Sequence, residues 1–71
     1  MENQVDARGF SCPQPVIMAV NEMKKVGQGQ ITVLVDTDTA KENVSRATSA
    51  QGWSVLDIQP DEGGYKIKIG K

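Results

Sequence analysis

The sequence predicts a two-layer α/β sandwich of the α+β class, ordered βαβαββ, with a mixed four-stranded sheet and two helices on one face. Three observations carry that expectation. Two amphipathic stretches of helical period each run into a glycine. A nearly continuous β-branched run lies between them, and the end of the chain alternates like a hairpin. Right-handed crossovers then put both helices on the same side of the sheet.

Gln4-Val5-Asp6-Ala7 is suited to a brief first strand, and Gly9 permits the turn that leaves it. From Pro13 to about Val26, the residues Val16, Ile17, Val20 and Met23 recur at helical spacing, while Asn21, Glu22, Lys24 and Lys25 fall largely off that stripe. Gly27 supplies a residue free to take the left-handed conformation that ends a helix. Gln30-Ile31-Thr32-Val33-Leu34-Val35-Asp36 is apolar almost throughout, as expected of a central strand.

Thr39-Ala40-Lys41-Glu42 has the form of a capping box, so the second helix is expected to begin there, with Ala40, Val44, Ala47 and Gln51 inward and Gly52 as its stop. Trp53 to Gln59 reads as a third strand, Pro60 to Gly64 as a turn, and Tyr65 to Ile69 as a fourth strand. Tyr65, Ile67 and Ile69 should face the helices, with Lys66 and Lys68 toward water. Leu34 and Val55 are expected on the open face, as a small apolar patch for a fused domain or second subunit.

Seventy-one residues make one domain. The net charge of −1 with interspersed signs lacks the basic face of a nucleic-acid binder and the polybasic cluster of a membrane-surface protein. No apolar run approaches the ~20 residues of a span. Met1-Glu2-Asn3-Gln4 lacks the pattern of a signal peptide, which makes the cytoplasm the expected compartment. One Cys and no His exclude an internal disulfide and a thiolate/imidazole zinc site, and they leave a Cys-His protease or acyltransferase without its base. No metal or cofactor is expected.

The one thiol stands in Arg8-Gly9-Phe10-Ser11-Cys12-Pro13-Gln14-Pro15. Proline is tolerated in the first helical turn but not mid-helix or mid-strand, so Cys12 reads as an N-cap with its sulfur near the positive end of a helix. That placement, and Arg8 nearby, favour the thiolate. Pro13 and Pro15 withhold N–H donors from the sulfur, and Asp36 or Asp38 adds negative charge, so a moderately reactive thiol is expected. The alternative is a buried cysteine acting as a small hydrophobe. Ser11, Pro13 and Gln14 speak for an exposed junction. Loops that follow parallel strands gather at one sheet edge, so the Arg8–Cys12 and Asp36–Thr39 loops should be neighbours.

Cys12-Pro13-Gln14-Pro15, preceded by Asp6-Ala7-Arg8-Gly9 and followed by the elements above, resembles the TusA family of sulfur carriers, also called SirA-like. Ala40-Lys41-Glu42-Asn43-Val44-Ser45-Arg46, Gln51-Gly52-Trp53 and Gly63-Gly64-Tyr65 are similar to the YedF branch. There, such a domain is commonly fused to a DsrE-like one and is linked to selenium metabolism. The resemblance implies a single TusA-like domain over residues 1–71, either whole or part of a two-domain protein.

It further implies a sulfurtransferase-like carrier. Cys12 would take sulfane sulfur, or selenium, from a cysteine desulfurase or rhodanese type of donor, hold it as a persulfide and pass it to an acceptor protein. Pro13 and Pro15 would shape the turn, Arg8 and Gly9 form the approach loop, and Asp36 end the second strand. Such exchange at sulfur needs a thiolate but no metal, cofactor or imidazole. Two other readings stand beside it: a regulatory protein-binding module in which Cys12 is not used chemically, and an RNA-binding module, against which the charge argues.

Overall fold

A computed structural model of the chain describes residues 3–10 and 14–71. The elements are β1 (Asn3–Asp6), α1 (Gln14–Val26), β2 (Gln30–Val35), α2 (Asp38–Ala50), β3 (Ser54–Asp61) and β4 (Gly64–Gly70). The sheet order is β1-β2-β4-β3, with β1 parallel to β2 and the other pairs antiparallel. The βαβαββ sandwich therefore forms as the sequence predicts. The reading of Cys12 as N-cap and Pro13 as first helical residue falls outside the described residues.

The β-branched run is central because it is buried from three directions. Val33 stands opposite Val5 of β1 on one side and Ile67 of β4 on the other. Ile31, Val33 and Val35 are fully buried and share one core with Ile67, Ile69, Ala19, Met23, Ala40 and Val44. Each large aliphatic side chain there contributes about 1.5–3 kcal/mol on burial. The alternate residues of β4, Lys66 and Lys68, turn to the open face as expected. Tyr65 packs on the margin of the core.

Both helices differ from expectation in detail. On α1 the buried line is Pro15, Ala19 and Met23, and Ile17 is 45 % exposed. The small Ala19 at the centre lets the helix lie close to the sheet, and the larger Val16 and Val20 pack at its flanks. On α2 the buried line is Ala40, Val44 and Thr48, while Gln51 is the exposed C-cap. Thr48 is admitted to the core because its hydroxyl donates to the Val44 carbonyl at 2.7 Å.

The second helix also starts earlier than the Thr39 capping box implies. Thr37 is the N-cap, its Oγ1 accepting from the Ala40 N–H at 3.0 Å. Two residues, Asp36 and Thr37, therefore suffice to link β2 to α2.

β3 runs to Asp61 and β4 begins at Gly64, so Pro60 and Asp61 are paired rather than turning. β3 is an edge strand with a register shift between Val55 and Asp57. That irregularity, Pro60 and Asp57 all discourage pairing with another chain. Val55 opposes Ile69 and packs on the core, and Leu34 on the open face is itself only 4 % exposed. The expected Leu34–Val55 docking patch does not form, because the register turns Val55 to the helix side.

The hairpin turn is Glu62-Gly63, both at positive φ, 46° and 84°. Such two-residue turns favour Asn-Gly, since a long side chain is strained in the left-handed region. Glu62→Asn is expected to stabilise the fold by about 0.5–1 kcal/mol in chemical denaturation. An unchanged midpoint would show that the turn stores no strain.

Candidate functional site

β1 and β2 are parallel, so both chains leave the sheet at one edge, after Asp6 and after Val35. The antiparallel β4 begins at the same edge, where Tyr65 pairs with Val35, and it brings the Glu62-Gly63 turn with it. The loop after β1 and the turn after β2 are in contact, as expected. The Gly9 N–H donates to Asp36 Oδ2 at 2.8 Å.

Successive amides of the first loop are all held. Ala7 N–H donates to the Leu34 carbonyl at 2.8 Å, and Arg8 N–H to Asp6 Oδ1 at 3.2 Å. Gly9 has φ of +84°, a conformation that side-chain-bearing residues rarely adopt, although a Cβ there would meet nothing within 4 Å. Glycine is required here for its backbone and not for space.

Asp6 also takes the Arg8 side chain in a two-pronged pair, Nε to Oδ1 at 3.0 Å and Nη2 to Oδ2 at 2.9 Å. The side-chain and backbone hydrogen bonds from Arg8 lower the Asp6 carboxyl from 3.8 to about 2. Arg8 is raised in turn, by its bond to Asp6 first and by the nearby charges of Asp61 and Glu62 after that. The cation expected to favour a thiolate is thus matched by the carboxylate at the end of β1.

The folded-state value of Asp6 is depressed, so the stability it contributes is complete above about pH 4 and is lost as pH falls toward 2. Both groups are exposed, and salt screens the pair. A carbon-detected titration should find the Asp6 midpoint near 2 in the native chain and shifted up toward 3.8 in Arg8→Gln, short of it because the main-chain N–H of residue 8 still donates. A midpoint that does not move would remove Arg8 as its cause.

A second group meets at this edge. The Tyr65 hydroxyl donates to Asp38 Oδ1, which raises the phenol, and Lys41 Nζ lies 4.5 Å from the centre of the Tyr65 ring. Gly64, one residue before, is buried. A Cβ on it would fall 2.2 Å from the Val35 carbonyl oxygen and 2.9 Å from the Asp36 Cα. The start of β4 therefore clamps the β2–α2 turn by contact and by hydrogen bond.

The structure brings Arg8, Gly9 and Asp36 together. Pro15, in the first turn of α1, is fully buried on the helix's inner face, which gives it a packing role. Cys12 and Pro13 lie outside the described residues. Sequence reasoning named Asp38 as a nearby charge but missed Asp6, Tyr65 and Gly64 as members of this edge. Asp6-x-Arg8 was a legible local pair, whereas the other two depend on the antiparallel return of β4. The carboxylates of Asp6, Asp36, Asp38, Asp61 and Glu62 outnumber Arg8 and Lys41 here, a field that opposes further negative charge.

Comparison with known proteins accords with this architecture. The family model described as Sulfurtransferase TusA matches residues 3–71. YrkI of Bacillus subtilis, named as a candidate sulfur carrier protein, is 36% identical over 59 residues, covering 83% of this chain and 79% of its own. The sulfur carrier protein TusA of Pseudomonas aeruginosa is 26% identical over 68 residues, covering 94% of this chain and 86% of its own. The crystal structure of a SirA-like protein from Desulfitobacterium hafniense superposes with a TM-score of 0.87 at 32% identity, over 99% of this chain and 96% of that one. The fold and the family match across nearly the whole length agree, and the chain belongs to the TusA family.

Proposed function

We propose that the chain is a sulfur carrier in which Cys12 holds sulfane sulfur as a persulfide and passes it to an acceptor protein. One observation carries the reading. Within a family match that spans residues 3–71, the one thiol of a His-free chain falls in the Cys-Pro-x-Pro stretch joining β1 to α1. The named relatives are sulfur carriers, which supports the same role here.

The chemistry is exchange at sulfur. The Cys12 thiolate attacks the outer sulfur of a donor persulfide, of the cysteine desulfurase or rhodanese type. The new S–S bond forms as the donor's S–S bond breaks, and the donor leaves as a thiolate. An acceptor thiolate then attacks the outer sulfur on Cys12, and Cys12 departs as a thiolate. Sulfane sulfur moves twice with no net oxidation, so no cofactor is called for. Pro13 and Pro15 stiffen the approach, and a thiol of moderate acidity suits a group that must both attack and leave. A thiol used in this way belongs in a reducing compartment such as the cytoplasm.

Incubation of the reduced chain with a cysteine desulfurase and cysteine, followed by intact mass measurement, should show a gain of one sulfur atom that dithiothreitol removes. With selenocysteine as substrate, the same measurement reads selenium loading. Failure to gain sulfur from either type of donor would contradict the reading. Recovery of the same protein partner by wild type and Cys12→Ala would favour the regulatory module instead.

A further inference from the structure

The end of the molecule away from the Asp36 edge carries a second concave surface that sulfur transfer leaves unused. We propose that this hollow, where the two helices finish, is a binding site for a small organic carboxylate.

The hollow has a volume of about 230 Å³ and is bounded by Met23, Lys24, Gly27, Gln51, Trp53 and Lys71. Lys71 pairs with Gly29 just before β2, so the 6 residues of that strand separate the hollow from Asp36, a distance of about 20 Å. The two surfaces are independent. Met23 and Trp53, both almost wholly buried, make an apolar floor.

Trp53 carries the argument. Its main-chain N–H goes to the Thr48 carbonyl at 3.0 Å, and among the described residues nothing accepts from its indole N–H. A buried indole normally finds a partner. Among the described residues no side-chain donor is both sealed from solvent and unpaired, so this N–H is open to solvent although Trp53 is only 5 % exposed.

The cations at the rim are available as well. Lysines at helix ends commonly serve the last carbonyls. Here main-chain amides already take the carbonyls of Met23, Ala47, Thr48 and Ser49. Lys71 is fixed by two main-chain hydrogen bonds with Gly29, at 2.9 and 3.2 Å, and its Nζ reaches to 4.0 Å from where a Cβ on Gly52 would stand. Among the described residues neither Lys24 nor Lys71 pairs with a carboxylate, and no acidic side chain bounds the hollow.

An indole N–H and two ammonium groups are donors only, with the Gln51 amide beside them. Such a set selects an acceptor that carries negative charge. The apolar floor calls for a hydrocarbon body behind that charge, and the volume keeps the body smaller than a drug-sized ligand.

The test needs no sulfur chemistry, because the one Trp of the chain gives a single indole N–H signal in a nitrogen-15 correlation spectrum. Sodium benzoate, benzyl alcohol and sodium sulfate are titrated in turn at constant ionic strength. Benzoate should move the indole signal saturably in the millimolar range and raise the midpoint of thermal unfolding. Benzyl alcohol and sulfate should each bind at least about fivefold more weakly, since each lacks one half of the match. Lys24→Gln and Lys71→Gln, both at exposed positions, should fold normally and each weaken benzoate by about threefold to fivefold. An indole signal that benzoate does not move would overturn the proposal. So would benzyl alcohol or sulfate binding as tightly as benzoate, or an unchanged affinity in the double lysine variant.

Discussion

Cys12→Ser is expected to abolish sulfur uptake and delivery while leaving the fold unchanged. Serine replaces one atom of the side chain and keeps its shape, and the core shared by β2, β4 and the two helices is built from other residues throughout the described chain. A hydroxyl is a far weaker nucleophile at neutral pH than a thiol, and the chain holds no imidazole to activate it. No second cysteine can substitute, so the loss should reach the background of the assay. Circular dichroism and thermal unfolding should overlay those of wild type. A serine variant that still gained sulfur would move the chemistry off Cys12.

Gly64→Ala is expected to give the largest loss of stability from a single methyl group. The added Cβ would lie 2.2 Å from the Val35 carbonyl oxygen and 3.1 Å from its carbon, and backbone cannot rotate away as a side chain can. Overpacking of this kind costs about 3 kcal/mol or more. A domain of 71 residues has only about 4–10 kcal/mol in total. The midpoint of thermal unfolding should fall by about 12 °C or more. By contrast, Gly70→Ala meets chiefly the Leu56 Cδ1 at 2.8 Å, the end of a flexible side chain, and should be tolerated much better. Equal losses in the two variants would refute the steric argument.

The elements of this fold were legible because each carries a local cause. The β-branched run had to be central, the glycines at 27 and 52 do end helices with positive φ, and Ile67 and Ile69 face inward as their alternation required. The errors arose where two local solutions compete. Thr37 and Thr39 both suit a helix cap, and the shorter crossover won once Asp36 was engaged by Gly9. Val16 and Ile17 are adjacent apolar residues, and the helix turned Ile17 outward because Pro15, Ala19 and Met23 gave the closer approach.

The candidate site was half legible. That the Arg8 loop meets the Asp36 loop follows from parallel strands alone, and the Gly9–Asp36 bond realises it. The role of β4's first residues was hidden, because Gly63-Gly64 reads as a turn and only Gly63 is in one. Gly64 is needed for the space it leaves, which no backbone propensity announces. Tyr65 read as a packing residue, and its ring does pack, but its hydroxyl reaches Asp38 across the edge of the sheet.

The carrier account is tested most directly by following radiolabelled sulfane sulfur from a donor protein through this chain to an acceptor protein in single-turnover mixing. The account predicts that label appears on Cys12 first, up to one atom per chain, and then passes to the acceptor at a rate that accounts for all of its gain. Label that reaches the acceptor equally fast with wild type, with Cys12→Ser and with no chain present would contradict it.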